Sequence, residues 1–216
     1  MTIAYPVALH LEQRPVLIVG GGGVGARKAQ GLLDAGALVT AVSRAFSPQW
    51  DALPAERLIA PYAPAHIQLH PFHLVFAATD SADVNARVQA DAAARAIPCC
   101  RCDDATSSDF SGMATARVGG ITLAVSTSSG SPLVAAQLRD HLASQIEPAW
   151  ALLAERLPLW RQRVRAQSAG VARRDLLRRL ASVEMLTAIR TAGLPAGERL
   201  LDHWLSSGGR DPADVQ

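Results

Sequence analysis

The sequence predicts an α/β fold built on a parallel sheet, and three observations carry that prediction. Short apolar runs alternate with helix-period segments through the first half of the chain. Four consecutive glycines, Gly20 to Gly23, join the first apolar run to the first helical segment. After about residue 110 the alternation stops, and a hairpin signal and then helical pattern take over. Strands that alternate with helices imply βαβ units with right-handed crossovers.

The elements follow in order. Residues 16–19 (Val-Leu-Ile-Val) form a short apolar run ending at the glycines, which suits a buried parallel strand. The next segment reads as a helix with Val24, Ala29, Leu32 and Leu33 on one side and Gly36 as its C-terminal stop. Residues 38–42 read as the second strand, 58–60 as a weaker third and 74–78 as the fourth. Thr79-Asp80 follows, then a helix over about 83–96, and residues 97–102 read as a fifth strand. Residues 114–118 and 121–126 flank Gly119-Gly120, a two-residue turn able to supply the positive φ angles of a tight hairpin. Ser131-Pro132 offers an N-cap and a proline at the first helical position. The helix it starts runs to about Ile146, with Leu133, Val134, Leu138, Leu142 and Ile146 along one face. From Trp150 to Leu205 the pattern reads as three helices separated by Gly170 and by Gly193-Leu194-Pro195. On this reading the chain divides at 1–112, 113–148 and 149–216.

Composition bounds the rest. Hydrophobic residues make up 49% and charged residues 19%, so the chain is globular, not disordered. A formal net charge of +2 is too small to imply a nucleic-acid partner. No segment approaches the roughly 18 uninterrupted apolar residues of a membrane span. His10, Glu12, Gln13 and Arg14 break up the N-terminal segment, which therefore does not read as a signal peptide. A soluble, cytoplasmic protein is expected. Cys99, Cys100 and Cys102 are an odd, clustered set and a poor disulfide framework. Alternation along a strand sends the intervening residue the other way, so the three do not converge as metal ligands. Pro71 breaks any helix that would align His66, His70 and His73. The arginine-rich stretch 156–179 has few aromatics interleaved and no nucleic-acid recognition motif, and reads as a solvated helical face.

Gly20, Gly22 and Gly25 occupy the three fixed places of G-x-G-x-x-G, after a strand and at the opening of a helix. The first allows the tight turn, the second lets the backbone approach a pyrophosphate, and the third lets helix and strand pack closely. With Gly23 and Val24 they present free N–H groups at a helix N-terminus, where the dipole favours negative charge. This is a Rossmann-type dinucleotide site. An Asp or Glu is expected roughly 20 residues on, to hold the ribose hydroxyls. Ser43-Arg44 stands there instead. An arginine at that point suits the 2′-phosphate of NADP, so the residues leave NAD and NADP both open.

With these features in place, the chain resembles the precorrin-2 dehydrogenase family, which includes the N-terminal module of bifunctional siroheme synthase. The resemblance runs through residues 17–29, then Ala77-Ala78-Thr79-Asp80 with Val84-Asn85, residues 99–104, Asp109-Phe110, and residues 124–132 leading into Leu138-Arg139. It implies NAD-dependent oxidation of precorrin-2 to sirohydrochlorin, with iron insertion into the product in some members. It also implies a homodimer with a dimerisation module at 113–148 and a helical domain at 149–216. Thr79 and Asp80 fall at the cofactor site. The family's key acid falls on Asp103, beyond the fifth strand, where a carboxylate can take the proton that accompanies hydride loss. Asp104 adjoins it, and like charge would raise the pKa of one of the two. Ser126, Thr127 and Ser128, with Arg117 and Arg139, fall where a carboxylate-rich tetrapyrrole would be held, and bidentate guanidinium pairing suits that task.

Three positions depart from the family pattern: Cys100 for an asparagine, Met113 near a missing proline, and Ser128-Ser129 for Gly-Gly. They bear on the substrate and on chelation more than on the cofactor. The methyltransferase domain of bifunctional siroheme synthases is not among these residues, so a separate enzyme is expected to supply the substrate. Two other readings stay open: a non-catalytic dinucleotide-binding redox sensor, and a dedicated tetrapyrrole metal chelatase on the same fold.

Overall fold

The structure, a computed structural model, describes residues 4–127 and 131–207. The chain forms two compact units, Met1–Gly112 and Met113–Gln216.

The first unit runs β1 (Pro15–Val19), α1 (Gly23–Asp34), β2 (Leu38–Ser43), β3 (Glu56–Ile59), β4 (Leu74–Ala77), α2 (Ala82–Ala93) and β5 (Cys99–Arg101). All five strands are parallel, in the order β3-β2-β1-β4-β5. The chain leaves β1 in one direction to build β2 and β3, then returns to lay β4 on the other side of β1. In register, Val16 faces Val39 on one side and Leu74 on the other. This reversal makes a switch point between β1 and β4, where open α/β sheets bind their ligands. β1 and β4 are apolar throughout because helices cover both sheet faces. Val16 and Ile18 enter one core cluster with Ala26, Ala29 and Phe76, whereas Leu17 and Val19 enter the other with Val75 and Val88.

The face of α1 keeps Ala29, Leu32 and Leu33 as expected and differs at Val24. Gly25, Ala26, Ala29 and Leu32 are buried, while Val24 is 41% exposed. Small residues let the helix lie close to the sheet, and Val24 sits one 100° step outside that stripe. Gly36, at φ +77, closes the helix as a Schellman motif, with Ala37 N–H bonding the Leu32 carbonyl and Gly36 N–H that of Leu33.

The helix α2 stops at Ala93, earlier than the apolar pattern suggested, because Ala96 takes the left-handed conformation (φ 54) in the same motif. A left-handed alanine carries a Cβ clash. Ala96→Gly is therefore expected to raise stability by about 0.5–1 kcal/mol, seen as a melting temperature a few degrees higher. An unchanged or lower melting temperature would contradict this account of the turn.

The second unit runs β6 (Ala114–Val118), β7 (Ile121–Val125), α3 (Pro132–Ser144), α4 (Pro148–Gln167), α5 (Gly170–Arg179) and α6 (Val183–Ser206). β6 and β7 form the antiparallel hairpin, but only Gly119 has a positive φ (+54), the pattern of a type II′ turn. A Cβ there would also meet Ala151 Cβ at 2.8 Å, so the turn abuts α4. The α3 helix packs on both strands of the hairpin. Of its residues only Ala135 is buried, and the expected apolar face lies open, with Leu133 at 70% exposure and Leu138 at 43%.

The remaining helices close a core of Leu153, Trp160, Val164, Leu176, Met185, Ile189, Leu201 and Trp204. The expected divisions at Gly170 and Gly193 are present, and one more is added. Ser182 caps α6 by accepting from Met185 N–H at 3.2 Å, a boundary the reading missed. The Gly193 break falls inside α6 as a kink (φ +68). Among the described residues, no helix is long and apolar enough to cross a membrane.

Candidate functional site

The glycine turn leaves the C-terminal end of β1 at the switch point, and its glycines serve different ends. A Cβ on Gly20 (φ +128) would lie 2.2 Å from the Ala78 carbonyl oxygen. On Gly25 it would lie 2.4 Å from the Gly20 oxygen, and on Gly21 2.0 Å from that of Ala45. These three are closed off by the protein's own backbone. Gly22 is the exception, for nothing stands within 4 Å of its Cβ position. Its missing side chain leaves space outside the protein, as an approaching ligand backbone requires. Gly22 is also the N-cap of α1 and makes no side-chain cap bond. The first-turn N–H groups thus lack intrahelical acceptors, and no acidic residue stands among them. This cradle fits a pyrophosphate.

A segment beyond β2 holds the turn in place. Ser47 N–H donates to the Gly21 carbonyl at 2.8 Å, and the Trp50 indole N–H donates to the Gly22 carbonyl at 3.3 Å. Trp50 is fully buried and packs edge-on against Phe46. Sequence reasoning missed Trp50. Its only signal was Ser47-Pro48, which starts the 3-10 turn that carries it. At the end of β2, Ser43 is half-buried beside Gly21. Arg44 is exposed and pairs with no carboxylate among the described residues.

Across the switch point, Thr79 and Asp80 follow β4. Asn85 on α2 is completely buried and fixes Thr79: its Oδ1 accepts from Thr79 N–H (3.1 Å) and Oγ1–H (2.7 Å), and its Nδ2 donates to the Thr79 carbonyl (3.0 Å). Asp80 is exposed. A polar residue on the buried face of a helix was the signal for Asn85.

Asp103 lies just beyond β5. Cys102 N–H donates to the Ala77 carbonyl at 2.9 Å, which continues the ladder by one residue and sets Asp103 at the carboxyl end of the sheet. Arg101 grips it bidentately, Nε to Oδ1 at 3.2 Å and an Nη to Oδ2 at 2.7 Å. Those bonds hold the Asp103 carboxyl below its ordinary range, with a smaller contribution from Asn85. Neither aspartate's pKa is raised, contrary to expectation. Asp104 is held well below the carboxylate range by Ser107 and Thr106, whose hydroxyls and N–H groups donate to it. Both carboxylates are low because each has its own donors, and that outweighs their mutual repulsion.

Arg101→Gln is expected to raise the pKa of Asp103, since it removes the main cause of the depression. Asp103 would then protonate at higher pH, and the acid limb of any Asp103-dependent activity would move up. A carboxyl carbon NMR titration and a pH–rate profile check this; an unmoved Asp103 titration would contradict it.

The Asp109-Phe110 block is structural. The Asp109 carboxylate accepts from Cys99 N–H at 2.8 Å, and Phe110 meets Phe76 edge-on at 5.3 Å. In the second unit, Thr127 Oγ1 accepts from Ser131 N–H at 3.1 Å, so the helix start is secured by Thr127 and not by the Ser131 side chain. Ser126 and Arg117 are exposed, and Arg139 pairs with Asp140 at 2.7 Å. Ser128 lies outside the described residues. His66, His70 and His73 make separate contacts, with Ala63 N–H, Glu56 and Arg14.

A parallel sheet of this order, with an open glycine turn and a bare helix N-terminus at its switch point, defines a dinucleotide-binding protein of the Rossmann class. In agreement, a family model described as "Putative NAD(P)-binding" matches residues 7–112. The chain is 33% identical to the siroheme synthase of Chromobacterium violaceum over 214 residues, covering 97% of this chain and 45% of that protein. It is 36% identical to siroheme synthase 1 of Aeromonas salmonicida over 186 residues, covering 84% and 39%. The chain belongs to the family of the siroheme synthase N-terminal module. It spans just under half the length of these relatives. Its fold is shared with the solved structure "SirC, precorrin-2 dehydrogenase", at a TM-score of 0.72 and 21% identity, covering 94% of this chain and 100% of that one.

Proposed function

We propose that the protein is a precorrin-2 dehydrogenase, oxidising precorrin-2 to sirohydrochlorin with NAD in siroheme biosynthesis. The observation that carries the proposal is the shared address of two features. The open glycine turn and the ionised Asp103 both lie at the carboxyl end of the parallel sheet, in a chain of the siroheme synthase family.

The substrate loses two hydrogens, one as hydride and one as a proton. NAD, when bound, supplies the hydride acceptor. The backbone N–H groups of Gly22, Gly23, Val24 and Gly25 would hold its pyrophosphate, with Gly20 shaping the turn. Ser43 and Arg44, and Thr79 and Asp80 across the switch point, would bind the rest of the dinucleotide. Arg44 also offers a partner to the 2′-phosphate of NADP. Asp103, kept ionised by Arg101, takes the proton; a positioned general base is worth about 10²–10⁴-fold in rate. Ser126, Thr127 and Ser128, with Arg117 and Arg139, bind the substrate's carboxylates. Incubation of the purified protein with precorrin-2 and NAD should yield NADH and the sirohydrochlorin spectrum. Absence of both would overturn the proposal. Parallel arms with NADP, and with ferrous ion added to the product, test the cofactor choice and metal insertion.

We further propose that the protein is a cytoplasmic homodimer, with 113–148 as the dimerisation module and 149–216 as the helical domain. The support is the uncovered apolar face of α3, where Leu133, Val134, Leu138 and Leu142 are all exposed. Leu138→Arg should convert the dimer to monomer in sedimentation velocity. A dimer unchanged by that substitution would contradict the assignment of this face.

A further inference from the structure

Cys100 and Cys102 stand on the same side of the sheet end, two residues apart on one extended segment, because the Cys102–Ala77 bond continues the β5 ladder. Cys99 points the other way, into the opposite core cluster. Cys100 is 6% exposed, whereas Cys102 is exposed and opens the pair to solvent. Lys28, the only lysine in the chain, reaches the same place from α1, with Nζ 5.9 Å from the centre of the Phe76 ring. Gly112 makes room for it, since a Cβ at that position would lie 2.7 Å from Nζ. Two thiols and an ammonium therefore share one corner beside Asp103.

We propose that Cys100 and Cys102 form a peroxide-reactive dithiol whose intrachain disulfide shuts off the adjacent site. This inference rests on the dehydrogenase reading only for its effect on activity; the modification itself does not depend on it.

Cys102 on the same side of the strand and the Lys28 charge lower the Cys100 thiol to about 7, while the neighbouring Cys100 and burial raise Cys102. Cys100 thus carries the thiolate, the form that attacks peroxides. Its sulfur takes one oxygen of hydrogen peroxide as the O–O bond breaks, giving a sulfenic acid and a hydroxide, which is neutralised to water by the proton that Cys100 released on ionising. The Cys102 sulfur then attacks the Cys100 sulfur. The S–S bond forms, the S–O bond breaks, and water leaves with the Cys102 proton. Overall, two thiols and one peroxide give a disulfide and two waters. Cys99, buried and raised to about 11, stays a thiol.

The bond forms only with local movement of the backbone, because Cβ atoms two apart on one strand face stand about as far apart as their Cα atoms and a disulfide needs about 3.8 Å between them. Two residues of extended chain separate the Cα atoms by about 6.6 Å, near the upper limit of about 6.8 Å for a disulfide. Closing it draws Cys102 inward, and Asp103 is the next residue. A misplacement of about 1 Å at a reacting group can cost on the order of a hundredfold in rate. A bond strained in this way is also readily reduced by thiols.

The test treats the purified full chain with hydrogen peroxide, denatures it, alkylates it and maps the products by mass spectrometry. The expected result is a chain lighter by two hydrogens, with Cys100 and Cys102 linked and Cys99 alkylated. Cys102→Ser should instead yield a Cys100 sulfenic acid trapped by dimedone, and no disulfide. In wild type, precorrin-2 oxidation should fall on the order of a hundredfold and return with dithiothreitol, while NAD binding by the glycine turn persists. Three alkylated cysteines after peroxide, a disulfide between two chains, or a disulfide that leaves turnover unchanged would each overturn the proposal. Failure of the untreated protein to oxidise precorrin-2 would instead count against the dehydrogenase reading, with the mapped disulfide still deciding the dithiol.

Discussion

Gly22→Asp is expected to abolish cofactor binding while leaving the fold intact. The two effects separate because nothing in the protein stands within 4 Å of a Cβ at this position. The new side chain projects into the space that the pyrophosphate needs, and its carboxylate adds like-charge repulsion against a dianion. Like charges brought together at an interface cost several kcal/mol, so affinity for NAD should fall by about a hundredfold or more. Isothermal titration with NAD and a thermal melt of the same sample check both parts. A variant that binds NAD normally would contradict the site; one that fails to fold would contradict the open geometry at Gly22. Gly20→Ala provides the opposite case. Its Cβ would lie 2.2 Å from the Ala78 oxygen at a φ of +128, so this variant should lose the fold and the binding together.

Asp103→Asn is the second large effect. The amide keeps the size of the carboxylate but cannot accept the proton. Turnover of precorrin-2 should fall by about 10²–10⁴-fold, while the affinity for NAD, held by a different loop, stays as it was. The Arg101→Gln variant distinguishes the general-base role from a merely structural one. If Asp103 acts as the base, weakening its ion pair moves the acid limb of kcat/KM to higher pH; if it only braces the loop, the profile keeps its shape. Asp104→Asn is the control. That carboxylate is already occupied by Thr106 and Ser107, so its loss should loosen the loop without moving the pH profile. A kcat for Asp103→Asn within severalfold of wild type would overturn its assignment.

Much of the first unit was legible in the residues. Short apolar runs set its five strands in the right order along the chain, and Gly36 stopped α1 where the left-handed conformation was needed. Where the reading erred, tertiary packing had decided. The pattern placed Val24 inward, but the close fit of α1 to the sheet uses the small residues Gly25, Ala26 and Ala29 instead. The apolar stripe of α3 was legible as one helix face, but only the structure shows that it is uncovered within this chain. The break after Arg179 was missed because Ser182 resembles any other polar residue until its hydroxyl meets the Met185 N–H.

The site shows the same division. The sequence by itself determined the glycine turn, the parallel βαβ order and the position of Asp103 after the fifth strand. These depend on local rules: side-chain period, allowed φ, and the absence of a Cβ. Only the tertiary structure decided that Gly21 closes against Ala45 while Gly22 stays open. It also decided that Trp50 and Asn85 hold the two loops, that Arg101 keeps Asp103 ionised, and that Cys100 and Cys102 share a corner with Lys28. The contacts of Gly21 with Ala45, Trp50 with Gly22, Asn85 with Thr79 and Lys28 with the cysteine corner join residues brought together by strand pairing and helix packing, and no spacing along the chain encodes the distance between them. Arg101 meets Asp103 locally, through a side-chain conformation that the spacing alone does not choose. A local pattern can say which backbone a residue needs; only the closed fold says what stands opposite it.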